Sequence, residues 1–136
     1  MTVRTELPDE LAARVAAIVH DIDATAGVDF IFRIDDRAGL GPMPWLWSED
    51  GSGTGLILEW GDGRAFDTAE IADEIQEAVI EARWQTGQNP VAWPECPFHM
   101  THPLDAVMED GEALWICPKQ ATVRFAIGSL PMPSPT

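Results

Sequence analysis

Both cysteines and two of the three histidines of this 136-residue chain fall between Cys96 and Cys117. Thiolate sulfur and imidazole nitrogen are the donors Zn2+ prefers. Cys96, His99, His102 and Cys117 supply the four that a closed tetrahedral shell requires. The spacing Cys-x2-His-x2-His-x14-Cys predicts one structural zinc ion held by these four side chains. Pro97 follows Cys96 directly; its ring fixes one backbone dihedral and helps the chain turn so that Cys96 and His99 face inward together. Cys117-Pro118-Lys119-Gln120 repeats the opening of that pattern.

The arrangement of residues 93–128 resembles a zinc ribbon, a β-hairpin module in which two Cys-Pro-x-Cys knuckles grip one ion. The resemblance implies a metal and a hairpin, with no activity attached. Seventeen residues separate His99 from Cys117, within the spacing expected between two ligand pairs of such a site. The chain departs from the pattern twice. His99 replaces the second thiolate, and Gln120 stands where the fourth ligand belongs, so His102 has to complete the shell.

Three other readings of the same residues stay open. A Cys96–Cys117 disulfide would need an oxidising compartment, whereas the amino terminus Met1-Thr2-Val3-Arg4-Thr5-Glu6 has no apolar segment of a secretory signal, so a cytoplasmic location is expected. Two cysteines can also pack as small hydrophobes beside surface histidines, with no metal at all. A zinc with three protein ligands and an open position would instead make a zinc-dependent hydrolase, with Glu95 and Asp105 as candidate bases. No Gly-rich phosphate loop, nucleophile elbow or recognisable Ser, His and Asp set accompanies the cluster. The expectation is therefore a closed shell and no catalysis.

The elements that must position this cluster read as one domain over residues 1–130 with a mobile tail at 131–136. Hydrophobic residues make up 46% of the chain, enough for a core that does not need metal merely to exist. Leu7, Leu11, Val15, Ile18 and Ile22 recur at spacings of three and four, predicting a helix over 7–26, with Pro8 in its first turn and Gly27 as its stop. His20 rides on it as a surface residue. Residues 28–35 alternate, with Phe30, Phe32 and Ile34 on one side, and predict a strand. Short strands at 44–47 and 56–60, joined by the turn residues 49–53, complete a three-strand antiparallel meander. The same stretch grazes a calcium-loop pattern at Ser48, Asp50, Ser52 and Glu59, but its strand flanks are wrong for one. The clearest helix spans 68–86, with an Asp67/Glu70 capping box, Ile71, Ala72, Ile75, Ala78, Val79 and Ala82 on one face, and Gly87 after it.

Asp110-Gly111, between 106–108 and 113–117, signals a tight hairpin that would bring the first knuckle and Cys117 to the same end. A further strand is expected within 121–130. Together these predict an α+β domain: an antiparallel sheet with two packed helices and a C-terminal zinc-binding β-hairpin. The six tryptophans fit core and sheet packing better than a ligand platform, with Trp45 and Trp47 the pair to watch.

Charge bounds the partners. Twenty-three acidic against eight basic side chains give a formal net charge of −15, which repels phosphate backbones and anionic membranes. The helix at 68–86 concentrates this excess: Glu70, Asp73, Glu74, Glu77 and Glu81 share the face opposite the apolar one. Their like-charged i,i+4 pairs each cost a few tenths of a kcal/mol. The stripe suggests docking of a protein partner with a basic surface, or, if the band extended further, mimicry of nucleic acid toward a basic groove. A solvated face is the bland alternative.

Overall fold

A computed structural model describes residues 3–27, 29–36, 43–48, 51–56, 67–87 and 92–130; the side chains of residues 99–101 lie outside the description. The architecture is mixed α and β. Strand β1 (Val3–Glu6) leads into helix α1 (Asp9–Thr25), then β2 (Phe30–Asp35), β3 (Met43–Ser48), β4 (Gly53–Gly55) and helix α2 (Thr68–Gln85). The C-terminal third adds β5 (Glu95–Cys96), β6 (His99–Pro103), β7 (Asp105–Glu109), β8 (Glu112–Ile116) and β9 (Arg124–Ala126).

The first four strands form a sheet in chain order. The pairings β2–β3 and β3–β4 are antiparallel, as expected, but β1 runs parallel to β2, with Val3 opposite Phe30. The sequence predicts an antiparallel sheet, and this one parallel pair departs from it. The exception arises because β1 is an edge strand of four residues, three of them exposed, and carries no hydrophobic alternation that would mark it. The strand opposite Trp45 and Trp47 also differs in position: β4 begins at Gly53, within the predicted turn, and residues 57–60 lie outside the description. The calcium pattern leaves Asp50 and Glu59 outside it too, while the Ser48 and Ser52 hydroxyls bond each other at 2.7 Å across the turn.

Glycine in β4 has a packing reason. A Cβ on Gly53 would meet the Trp47 ring at 2.4 Å, so only glycine lets that indole lie across the strand. Trp45 and Trp47 stack at 5.4 Å, and the Arg33 guanidinium sits 5.0 Å from the Trp47 ring. With Trp47 buried, this pair is sheet packing reinforced by a cation–π contact.

One hydrophobic cluster joins the pieces. Leu11, Val15, Ile18 and Ile22 of α1, Ile71, Ile75 and Val79 of α2, and Phe30, Phe32 and Leu46 of the sheet meet Trp93, Cys96, Leu104, Trp115, Cys117 and Leu130. Each fully buried aliphatic side chain contributes about 1.5–3 kcal/mol of transfer free energy. The apolar stripes predicted for both helices are the ones that face this cluster. Pro8 sits at the N-cap of α1, one position before the helix, and Gly27 follows it with φ 74°. The Asp67/Glu70 capping box of α2 is present with both of its hydrogen bonds.

The C-terminal strands form two small sheets, β5–β6 and β7–β8–β9. Asp110 and Gly111, at φ 53° and 79°, make the two-residue turn between β7 and β8, the left-handed pair that matches strand twist in a tight hairpin. The strand expected within 121–130 shrinks to β9, and the chain after it is held differently. Asp21, fully buried on α1, accepts hydrogen bonds from the indole of Trp115 at 2.8 Å, from the Gly128 N–H at 2.7 Å and from the Leu130 N–H at 3.0 Å. His20 Nδ1 lies 3.2 Å from the same carboxylate, with its ring largely exposed. Gly128, at φ 101°, brings the backbone so close to α1 that a Cβ there would lie 2.9 Å from the Ala17 Cβ.

Asp21→Asn keeps the volume but replaces one acceptor oxygen with a donor that faces other donors. A loss of about 3 kcal/mol is expected, since hydrogen bonds to a charged group are worth about 1.5–3 kcal/mol each. Urea denaturation of the variant beside the wild type measures it.

Candidate metal centre

The centre is assembled by two turns and the hairpin. Cys96 ends β5, residues 97 and 98 turn, and His99 opens β6 opposite Cys96 in the backbone register. Within the second hairpin Asp105 pairs with Ile116, so the residues flanking that pair, Leu104 and Cys117, lie at the same open end. Cys117 begins a second turn: its N–H donates to Val123 O at 2.9 Å, and the Gln120 N–H returns to Cys117 O at 3.3 Å. Gln120, which stands where the ribbon pattern would have its fourth ligand, is exposed and closes this turn through its backbone.

Three of the four predicted ligands converge. One donor atom from each of Cys96, His102 and Cys117 lies within 4.8 Å of the others, with His102 Nε2 at 3.9 Å from Cys117 Sγ. In a tetrahedral zinc site the corresponding spacings are about 3.8 Å between sulfurs and about 3.5 Å from sulfur to nitrogen. Small side-chain adjustments reach them. The fourth predicted ligand, the His99 imidazole, lies outside the described residues.

The local chemistry suits a cation. Both cysteines are fully buried and are thiols, not a disulfide. His102 Nδ1 lies 3.0 Å from the carbonyl oxygen of Pro103. Donation from Nδ1 to that carbonyl leaves the Nε2 lone pair directed toward Cys117, the orientation a ligating histidine needs.

The helices anchor the flanking segments. Trp93, just before β5, and Trp115 of β8 meet edge to face at 5.5 Å between centroids. Trp115 is tied to Asp21, and the Trp93 indole donates to the Thr25 hydroxyl at 2.9 Å, so both rings are anchored on α1. From α2, Gln76 Nε2 donates to the carbonyls of Trp93 at 3.1 Å and Leu104 at 2.5 Å. Arg83, also from α2, donates to Ala26 O and stands 3.4 Å from Glu95 Oε1. Burial draws the Arg83 guanidinium below its ordinary pKa, and the Glu95 carboxylate opposes that shift. Glu95 is thus held by a cation, while Asp105, the other candidate base, is exposed on β7.

Sequence spacing did not reveal Asp21, Gln76 or Arg83. The signal available was polarity on an apolar face: Gln76 follows Ile75, and Asp21 stands three residues after Ile18 and beside Ile22.

The acidic stripe proves uneven. Asp73, Glu77 and Glu81 are exposed, whereas Glu70 and Glu74 are half-buried. Glu70 is committed to the capping box, and Glu81 accepts from Gln85 Nε2 at 3.2 Å. Arg83, the basic residue of that helix, points inward and leaves the stripe's charge standing. Trp84, three residues after Glu81 on the same face, is 67% exposed. Among the described residues no helix is long and apolar enough to cross a membrane.

Cobalt substitution reads this geometry. Thiolate-to-cobalt charge-transfer absorption is expected in the wild type, weakened in Cys96→Ser and in Cys117→Ser, with changed ligand-field bands in His102→Ala. The chain matches no protein-family model, no curated protein and no solved structure, so the convergence of Cys96, His102 and Cys117 is what speaks for a function.

Proposed function

We propose that this chain is a small acidic zinc-binding protein in which the metal is structural and the domain serves as a non-catalytic protein-interaction module. The observation that carries the metal is the convergence of two thiols and one imidazole within 4.8 Å. A sulfur and nitrogen donor set favours zinc over the oxygen-seeking magnesium or calcium. Two thiolates also balance the charge of a divalent ion, which matters where both sulfurs are fully buried. Register with Cys96 supports His99 as the fourth ligand.

One zinc per chain is expected on elemental analysis of protein purified without chelator, and chelation should lower the thermal midpoint. Cys96→Ser and Cys117→Ser should each weaken binding, so that less than one zinc per chain is recovered. A zinc-free protein whose stability ignores both substitutions would overturn the proposal. His99→Ala tests the fourth ligand: the variant should retain the metal more weakly and gain an exchangeable water.

The same three side chains would also suit a second reading, a zinc-dependent hydrolase in which three protein ligands leave an open position. An exchangeable water in the cobalt-substituted wild type, with hydrolysis lost on Glu95→Gln, would favour it over a closed shell.

The interaction half rests on the outer face of α2, where Asp73, Glu77, Glu81 and Trp84 are exposed together. Carboxylates flanking an exposed indole suit a protein partner with a basic surface, through charge complementarity and cation–π contact. Mimicry of nucleic acid is the narrower form of the same proposal. Each exposed charge pair is worth about 0.2–1 kcal/mol, so Glu77→Gln with Glu81→Gln should weaken capture several-fold at low salt. Raised ionic strength should do the same to the wild type. Pull-downs that give the same partners for both proteins at either salt would reduce the stripe to a solvated surface.

A further inference from the structure

Gln76 is out of place by composition. It lies on the core side of α2 beside Ile75 and Val79 and is only 6% exposed. A polar group taken into a core costs free energy unless its hydrogen bonds are made there. A carboxamide nitrogen has two protons to give. Here that nitrogen donates to Trp93 O and to Leu104 O, and both bonds cross from helix to loop.

Those two carbonyls bracket the segment that carries Cys96 and His102. The Leu104 N–H also donates to Pro94 O at 2.9 Å, so the segment is closed at its base by three hydrogen bonds, two of them from one side chain. Two helical turns further on, Arg83 reaches the same strand from the same helix. Its guanidinium bridges Ala26 O, at the end of α1, to Glu95, the residue before Cys96.

We infer that Gln76 is a positioning residue of the metal centre: by holding Trp93 and Leu104 to a single amide it sets the separation of Cys96 from His102 before any ion arrives. Arg83 fixes the direction in which the chain enters Cys96. Neither side chain is a ligand; both act through the backbone of the segment that bears the ligands. Ligands already held near their bound geometry cost little entropy to order, which appears as affinity. Supports of this kind, behind the ligands themselves, typically contribute 10- to 100-fold in metal affinity.

The inference rests on the metal reading above, and the test separates the two. Cobalt titration of the full chain is carried out on the wild type, Gln76→Glu, Gln76→Met and Ile75→Val, with circular dichroism to confirm folding. Glu matches Gln in shape but, ionised, has no proton to give either carbonyl. Met keeps the length without introducing a charge, and serves if the Glu variant does not fold. Ile75→Val removes a buried methyl from the same helical turn but none of the three hydrogen bonds that close the segment. Both Gln76 variants are expected to bind Co2+ about 10- to 100-fold more weakly, with altered ligand-field bands, while Ile75→Val stays within about twofold of the wild type. Wild-type affinity and an unchanged spectrum in a folded Gln76 variant would overturn the positioning role and leave the metal centre intact. So would an equal loss in Ile75→Val, because the effect would then follow stability alone. No thiolate–cobalt band in the wild type would remove the metal reading, and this inference with it.

Discussion

The C-terminal third of the chain depends on the wholly buried carboxylate of Asp21. Residues 92–130 form two small sheets, one of them a pair of very short strands, and three strands or fewer bury little on their own. Their apolar side chains, Trp93, Leu104, Trp115, Val123 and Leu130, have to use the helices as the other half of their core. Hydrophobic contact alone would let such a layer slide. Asp21 removes that freedom, because a carboxylate inside a protein needs its acceptor sites filled and its donors come from Trp115, Gly128 and Leu130. The last strand and the hairpin are therefore registered against α1 by one side chain, and the close pass of Gly128 over Ala17 follows from it.

The same need to satisfy buried polar groups places the cysteines. Cys96 and Cys117 are members of the main hydrophobic cluster. Isolated zinc modules are often unfolded without metal, since the binding free energy is their folding free energy. Here α1, α2 and the four-stranded sheet contribute most of the cluster in which Cys96 and Cys117 lie, so the fold would not rest on a metal alone. Metal at Cys96, His102 and Cys117 would add to a layer already docked by Asp21 and Gln76, so its stabilisation belongs to the C-terminal strands first and to the whole domain second.

What could be read from the chain alone follows from the range of each interaction. Both helices were legible because their apolar spacing is local, and Asp110-Gly111 marked the β7–β8 hairpin because a two-residue turn with two positive φ angles accepts few residues. Cys96, His102 and Cys117 were legible because ligand chemistry is rare enough to stand out in a chain with two cysteines. Strand β1 was not, having no alternation of its own and taking its place from its pairing with β2 and from the Val3 N–H bond to Asp23 of α1. Nor were the partners of Asp21 and Gln76, which lie 94, 107 and 109 residues away in one case and 17 and 28 in the other. No local pattern encodes such pairings. Only the misplaced polarity of these residues on apolar stripes pointed to them.

Helix α2 shows how one element can serve two sides under different rules. Its inner face carries Gln76 and Arg83, whose side-chain hydrogen bonds end on Trp93, Leu104, Ala26 and Glu95. Its outer face carries Asp73, Glu77 and Glu81 in water, where like charges along a helix cost little because solvent screens them. Seven residues after Gln76, Arg83 lies on the same inner face, where it meets Ala26 and Glu95, while the exposed face around Trp84 carries Asp73, Glu77 and Glu81. The position of Arg83 on the helix therefore supports the segment that carries Cys96 and His102 and leaves the acidic side chains of the outer face to solvent.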